Sequence, residues 1–248
     1  MMRDPRWQSS NLNAVLGCCC IEGITVGPSP QFLREQLEIS ASTMAAPEGW
    51  DAGIRDLLRA GGFRPAGRNR PAHEFLARSG APLASISSVV DANNVISLRR
   101  RIPASVIDAA VCGEEIIIRE GVSGERYVFN RSGQELDLEG LLVVCASSES
   151  PVASPVKDSL AAHVTEKTQA IVFCAYGSLR LMEPPAMEAV IDDFARLAIP
   201  AAGGQLSAAW VVTASGLACW RTEVCERPGE AGASCKDVWR ARRSKTEE

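Results

Sequence analysis

Residue types that commonly carry acid–base or nucleophilic chemistry are unevenly represented in this sequence. It has only two histidines, His73 and His163, against nine cysteines and many serines. A thiol or hydroxyl nucleophile needs a base to activate it, so a Cys–His or Ser–His pair would have to use one of these two histidines. A cysteine-dependent enzyme built on Cys145 or Cys174 is one alternative, although both residues lie in apolar runs, where a cysteine is usually a small buried hydrophobe.

Metal and nucleotide motifs are missing from the chain. The nine cysteines include no C-x-x-C pair, so the ligand spacing of a zinc site is absent. The sequence also lacks the G-x-x-x-x-G-K-[ST] and G-x-G-x-x-G loops that cradle phosphates and the G-x-S-x-G nucleophile elbow. We therefore expect no metal, no cofactor and no ATP-dependent ligase activity.

A group of polar residues stands out between Pro82 and Pro103. The run Val89-Val90-Asp91-Ala92-Asn93-Asn94-Val95-Ile96-Ser97-Leu98 has helical spacing and ends in three arginines, Arg99 to Arg101. Asp91 and Asn94 have a simpler interpretation as helix caps, and the arginines as a solvated face. The functional interpretation is a polar hollow built around residues 91 to 108.

Elements that would position these residues follow from hydrophobic periodicity. Helical spacing predicts helices over 31–39, 50–60, 72–78 and 185–198. Period-two patterns and apolar runs predict strands over 14–26, 115–119, 126–130, 141–146 and 170–176, with an irregular loop over 147–157. The length of 248 residues and the apolar share of 46% suit one or two globular domains.

Five sequence motifs between residues 54 and 178 form a recognisable family pattern. They are Gly67-Arg68-Asn69-Arg70-Pro71, VVD-x-x-N around Asp91, Pro-x-x-x-x-Asp from Pro103 to Asp108, Ile116-Ile117-Ile118-Arg119 and Gly124-Glu125-Arg126-Tyr127. Through these motifs the segment resembles the paired third and fourth domains of the bacterial phenylalanyl-tRNA synthetase β chain, which edit mischarged tRNA. The resemblance implies an α+β fold with mixed-sheet or barrel-like layers flanked by helices, and an editing pocket between its halves.

In the synthetase this module hydrolyses tyrosine that was wrongly esterified to the phenylalanine tRNA. The resemblance implies that Asn94, Ser97 and Ser105 orient water and substrate and that Asp91 holds the amino group. Asn93 stands where the family often has Thr, and Ser105 where the synthetases often have His. The resemblance assigns substrate or tRNA contacts to Asn93, Arg68, Arg70, Arg99, Lys157 and Asp158.

The resemblance predicts a free-standing hydrolase that deacylates misacylated tRNA in trans. An aminoacyl ester is already activated, so an oriented water and donors to the oxyanion suffice. A non-catalytic module that binds RNA or an amino acid in the same pocket is the alternative, which Ser105 in place of His favours. The amino acid and tRNA recognised stay open, because pocket shape decides them, and so does the oligomeric state.

Charge and composition limit the partners. The net charge of −4 argues against a broad polyphosphate surface and against a DNA partner. The segment from Asp51 to Arg131, however, contains twelve arginines and nine acidic residues. Its local net charge of +3 suits the acceptor end of a tRNA. No apolar run approaches the ~18–20 residues of a membrane span, and the cysteine usage predicts a cytoplasmic protein. We expect residues 1–200 to form a single editing-type domain and residues 201–248 a weakly structured C-terminal extension.

Overall fold

The computed structural model describes residues 2–42, 46–79, 82–221 and 240–241, and it has an α+β fold, as the resemblance predicts. The helices are α1 (Gln31–Ser42), α2 (Trp50–Arg59), α3 (Ala72–Ser79), α4 (Ser88–Arg100), α5 (Ala109–Cys112) and α6 (Pro184–Ala202). The strands are β1 (Arg6–Trp7), β2 (Ala14–Ile24), β3 (Ala104–Asp108), β4 (Ile117–Glu120), β5 (Arg126–Val128), β6 (Glu135–Asp137), β7 (Leu142–Cys145), β8 (Pro151–Ala153), β9 (Ala170–Ser178), β10 (Gly203–Thr213), β11 (Gly216–Arg221) and β12 (Arg240–Ala241). No helix within these ranges has the length and apolar character needed to cross a membrane.

The main sheet has the strand order β12-β11-β10-β2-β9-β3, with antiparallel pairing throughout. β2 lies inside the sheet and is buried along most of its length, so it is apolar on both faces. Helix α6 covers one face, where the Phe194 ring stacks on Phe173 of β9 at a centroid distance of 3.9 Å. A Cβ atom at Gly17 would lie 2.7 Å from the Met187 side chain, so this glycine permits the close approach of α6 to β2.

A second sheet has the order β1-β4-β7-β8, and β5 and β6 form a separate hairpin. β4 and β7 correspond to the strands predicted at 115–119 and 141–146. β8 falls within the segment predicted as an irregular loop over 147–157, so that prediction is wrong for residues 151–153. Pro151 begins β8 at the edge of this sheet, where a missing N–H does not interrupt the pairing.

The pairing of β3 with β9 determines which side chains meet at the candidate site. Ser105 lies opposite Cys174 in this antiparallel pair. Successive side chains of a strand point to opposite faces. Because Phe173 packs on α6, Cys174 and Tyr176 face the other side of the sheet, together with Ser105.

The chain after residue 200 departs from the sequence-based expectation. β10 lies between β2 and β11, and Trp210 on it is buried, with its Nε1 donating to Asp4 Oδ1 at 2.9 Å. The prediction of a weakly structured extension from residue 201 is therefore wrong for residues 203–213. Its small apolar residues fit a strand that is enclosed on both faces. Residues 222–239 and 242–248 of that predicted extension lie outside the described ranges.

Candidate functional site

The loop that follows β8 carries two of the predicted contact residues, Lys157 and Asp158. Ser154 organises this loop: its Oγ donates to the Lys157 carbonyl at 2.7 Å and accepts from the Lys157 N–H at 3.2 Å. The start of α3 is tied to the loop because the Ala72 N–H donates to the Pro155 carbonyl at 2.9 Å. These local bonds hold the loop against the face of the sheet that carries Ser105.

Ser105 and Asp158 form the centre of the site. The Ser105 Oγ, which is fully buried, donates to Asp158 Oδ1 at 2.7 Å. The Tyr176 hydroxyl lies 3.2 Å from the same Ser105 Oγ, and the Ser154 N–H donates to Asp158 Oδ1 at 3.3 Å. Asp158 itself is half-buried. The result is a polar network between β3, β9 and the loop, with one carboxyl group reachable from solvent.

Burial sets the acid–base properties of this network. It raises the pKa of Asp158 to about 7, while the hydrogen bonds from Ser105 and Ser154 act in the lowering direction. Burial also raises the pKa of Tyr127 and Tyr176 well above the ordinary value of a phenol, and the nearby Asp158 charge adds to both shifts. Both phenols are therefore neutral at physiological pH, whereas Asp158 can gain or lose a proton there.

Lys157, which precedes Asp158 in the loop, directs its ammonium group to two aromatic rings. Its Nζ lies 3.9 Å from the centroid of the Phe129 ring and 5.9 Å from that of Phe75, which is a cation–π arrangement. Burial lowers the pKa of Lys157, and the positive charge of Arg68 acts in the same direction. Arg68 thus lies within electrostatic reach of Lys157, and Arg70 follows it, half-buried, two residues before α3.

Two of the predicted catalytic residues on α4 are committed to local structure. The fully buried Asp91 carboxylate accepts hydrogen bonds from the hydroxyls of Ser29, at 2.6 Å, and Ser85, and from the Ile86 N–H at 2.9 Å. The Ser97 Oγ donates to the Ile102 carbonyl at 2.8 Å. The bond from the Ile86 N–H agrees with the helix-cap interpretation of Asp91, and the bonds of both side chains favour a structural role over contact with a substrate.

The other predicted site residues of α4, Asn93, Asn94 and Arg99, differ in how far they are exposed to solvent. The Nδ2 of Asn93 donates to the Ala104 carbonyl at 3.3 Å, next to Ser105 in the chain. The Asn94 side chain is half-buried and has no hydrogen-bond partner in the part of the chain that the structure describes. Arg99 is exposed, and its Nε donates to Ser40 Oγ of α1 at 3.1 Å. The structure thus leaves the Asn94 amide available to a ligand, and it holds Asn93 beside β3.

An open cavity of about 650 Å³ lies beside the loop. This volume falls within the range of roughly 300–1,000 Å³ that is common for small-molecule sites. It adjoins the network through Tyr127 and Ser159, and none of residues 91–108 lines it, so the hollow predicted around that segment is not this cavity. Its lining consists of Val111, Gly124, Glu125, Arg126, Tyr127, Ser148, Glu149, Ser150, Pro151, Val152, Ser159 and Ala161.

Burial and electrostatics argue against the cysteine-dependent alternative. Cys145 and Cys174 are both buried. Burial raises the pKa of Cys145 to about 12, and the pKa of Cys174 lies well above its ordinary value because of the neighbouring Cys18 and of burial. A thiolate is the nucleophilic form of cysteine, so neither residue supplies one near neutral pH. Across the described ranges, no group of three or more His, Cys, Asp or Glu side chains is placed to hold a metal ion.

Sequence reasoning missed the aromatic part of the site, namely Tyr127, Phe129 and Tyr176. Tyr176 ends a predicted buried strand, and its role depends on the register of β3 against β9, which local periodicity does not reveal. Tyr127, whose hydroxyl donates to the Lys157 carbonyl, was visible only as part of the Gly124-Glu125-Arg126-Tyr127 run.

Comparisons with known proteins agree with part of the predicted resemblance. Residues 69–180 match the family model described as B3/4 domain. No curated protein matches the chain. Among solved structures, an N-terminal fragment of the phenylalanyl-tRNA synthetase β-subunit from Pyrococcus horikoshii is 11% identical, with a TM-score of 0.40, over 77% of this chain and 49% of that chain. This chain therefore spans about half the length of that fragment. The predicted resemblance is confirmed in its coarse form: residues 69–180, which include Ser105, Lys157 and Asp158, are similar to a B3/4 domain.

Proposed function

We propose that this protein is a hydrolase that acts in trans on misacylated tRNA and admits the aminoacylated end at the Ser105–Asp158 network. The observation that carries the proposal is the position of this network inside the segment similar to a B3/4 domain. The half-buried carboxyl group of Asp158 can accept a hydrogen bond from water or from the ammonium group of an aminoacyl ester, and the cations Lys157 and Arg68 suit a phosphate group of an RNA end. The ester is already activated, so positioned water and hydrogen-bond donors are sufficient for its hydrolysis.

The charges around the loop support an RNA end as the ligand. Lys157 and Arg68 lie close enough to influence each other electrostatically, and no acidic partner forms an ion pair with either of them within the described residues. Two neighbouring cations suit a phosphate group, and the Phe75 ring beside Lys157 is partly exposed. Although the whole chain has a net charge of −4, this part of its surface is locally basic.

A deacylation screen tests the proposal. Purified protein is incubated with a panel of tRNAs, each carrying a cognate or near-cognate amino acid, and ester loss is compared with the uncatalysed rate. We expect accelerated loss for at least one mischarged tRNA. We expect Asn94→Ala to slow that reaction, because the Asn94 amide is available for orienting substrate. Rates at background for every tRNA would contradict the hydrolase.

A charge-matched pair of variants tests where the RNA binds. Lys157→Gln removes the cation that lies near Arg68 in the loop after β8, whereas Lys167→Gln removes an exposed lysine outside the network. We expect Lys157→Gln to weaken tRNA binding about 3–10-fold and to reduce the salt dependence by about one phosphate contact. Lys167→Gln should leave both unchanged. Equal effects of the two substitutions would place the RNA elsewhere.

A non-catalytic binding module is the second candidate. It is favoured by Ser105, which stands where the synthetases often have His, and by the commitment of Asp91 and Ser97 to local hydrogen bonds. Saturable binding of aminoacylated tRNA without ester loss would select this function over the hydrolase.

A further inference from the structure

We propose that Asp158 is the general base that removes a proton from the attacking water, with Ser105 and Tyr176 as its positioning residues. This inference rests on the proposed ester hydrolysis and deepens it, because it transfers the catalytic role from the residues of α4 to the loop after β8. Asp158 was expected only to contact the substrate or the tRNA.

The geometry of the carboxyl group carries the proposal. Its Oδ1 accepts hydrogen bonds from the Ser105 hydroxyl at 2.7 Å and from the Ser154 N–H at 3.3 Å. Two donors on one oxygen fix the orientation of the carboxyl plane. The other oxygen, Oδ2, has no hydrogen-bond partner within the described ranges, and the side chain is half-buried. Oδ2 is therefore the atom left to receive a hydrogen bond from water.

The positioning residues are themselves held by the fold. Ser105 and Tyr176 project from adjacent strands on the same face of the main sheet, and their oxygen atoms lie 3.2 Å apart. The Ser105 Oγ also lies 3.4 Å from the Ser154 carbonyl. Because the sheet and the loop both contribute, a shift of either would move the carboxyl group.

Among the groups of the network, Asp158 is the one that changes its protonation state near neutral pH, because its neighbours keep theirs. Tyr127, Tyr176 and Cys174 all sense its charge, and burial contributes to keeping each of them protonated. The pKa of His163 is lowered by desolvation and by the charge of Arg131, although its hydrogen bond to the Asp158 carbonyl acts in the raising direction, and the net shift favours the neutral imidazole. Lys157 is adjacent in sequence, but its ammonium group lies over the Phe129 ring and does not contribute to the pKa of Asp158. A base whose pKa lies near the working pH is effective in proton transfer.

The reaction balances with these groups alone. The Asp158 carboxylate accepts a proton from water while the water oxygen bonds to the ester carbonyl carbon. When the tetrahedral intermediate collapses, the bond between that carbon and the ribose oxygen breaks. The proton passes from Asp158 to the ribose oxygen, giving free amino acid and a tRNA with its terminal hydroxyl restored.

Single-turnover deacylation against pH is the decisive experiment, with the mischarged tRNA found by the screen as substrate. For wild type, we expect the rate to rise with pH and to level off above about pH 7. Asp158→Asn should lower the plateau rate by about 10²–10⁴-fold and remove that rise. Asp56→Asn, which alters an exposed carboxylate on α2 paired with Arg59, should behave as wild type.

A second variant keeps the test valid if Asp158→Asn does not fold. Ser105→Ala removes the hydrogen bond that lowers the pKa of Asp158, so the midpoint of the pH–rate profile should move to higher pH. A purely structural role of Ser105 would lower the rate without moving the midpoint, and that result would overturn the inference. A folded Asp158→Asn within threefold of wild type would also overturn it while leaving the hydrolase intact. A wild-type protein inactive on every tRNA would overturn both.

Discussion

The half-buried carboxyl group of Asp158 should lower the stability of the protein at neutral pH, and Asp158→Asn should restore that stability. The substitution suits the site because an amide oxygen can still accept the hydrogen bonds that Ser105 and Ser154 donate to Oδ1. The amide nitrogen then takes the place of Oδ2. Asn therefore imitates the protonated acid at every pH and removes the cost of burying a negative charge.

The magnitude follows from the shifted titration. The pKa of Asp158 is about 7 in the folded protein, against about 3.9 in an unfolded chain. Between these two values the folded state binds one more proton than the unfolded state, so the free energy of unfolding falls as pH rises. The full difference corresponds to roughly 4 kcal/mol at and above pH 7. Since solvent reaches part of the side chain, we expect about 2–4 kcal/mol.

Urea unfolding of wild type, Asp158→Asn and Asp56→Asn at several pH values between 4 and 8.5 measures this effect. Asp158→Asn should match wild type near pH 4 and exceed its stability by about 2–4 kcal/mol at pH 8. Asp56→Asn should follow wild type throughout, because its carboxylate is exposed. Parallel curves for wild type and Asp158→Asn, or a loss of stability at pH 8, would refute the assignment of a raised pKa to this residue.

Further predictions concern core packing, glycine backbone conformation and cysteine burial. Phe194→Ala should lower the free energy of unfolding by about 3–5 kcal/mol, because the buried Phe194 ring stacks on Phe173. Phe32→Ala, which removes an exposed ring, should lower it by less than about 1 kcal/mol. Similar losses for the two variants in denaturant unfolding would contradict this packing. Gly133→Ala should cost about 1–2 kcal/mol for its left-handed backbone. Gly140 has a similar φ, but Gly140→Ala should lower the stability further because its Cβ would lie 2.1 Å from the Gly61 carbonyl oxygen. Equal decreases in the thermal unfolding temperature for the two variants would argue against this contact. Cys145 and Cys174 should resist iodoacetamide in the native protein at pH 8 and react in urea, as followed by peptide mass spectrometry; rapid native labelling would contradict their burial.

The sequence predicted those elements whose formation depends on local pattern. β2, β9 and α6 were predicted because long apolar runs and helical spacing are visible without knowledge of the fold. β3 was missed because it has only five residues after a proline, and its pairing with β9 joins residues about 70 positions apart. β10 was missed because its small apolar residues have weak periodicity and become a strand only between β2 and β11.

The sequence also predicted some residues of the candidate site but not the contacts between them. Ser105, Lys157 and Asp158 were selected from the resemblance, but their contact depends on a loop folding onto the sheet. Asp91 was predicted to contact the substrate because its surroundings could not be known from the sequence. In the fold its carboxylate accepts a hydrogen bond from Ser29, which is 62 positions away in the chain. The raised pKa of Asp158 could not be predicted either, since burial is a property of the assembled fold.

Equilibrium binding of a charged against an uncharged RNA end tests the central claim, that the Ser105–Asp158 network receives the aminoacylated end of a tRNA. The ligand is an acceptor minihelix with the amino acid attached through an amide, which the protein cannot hydrolyse as an ester, and the reference is the same minihelix without the amino acid. We predict at least about tenfold tighter binding of the charged form, or about 1.4 kcal/mol, and loss of that preference in Asp158→Asn. Equal affinities for the two minihelices in the wild-type protein would contradict the account.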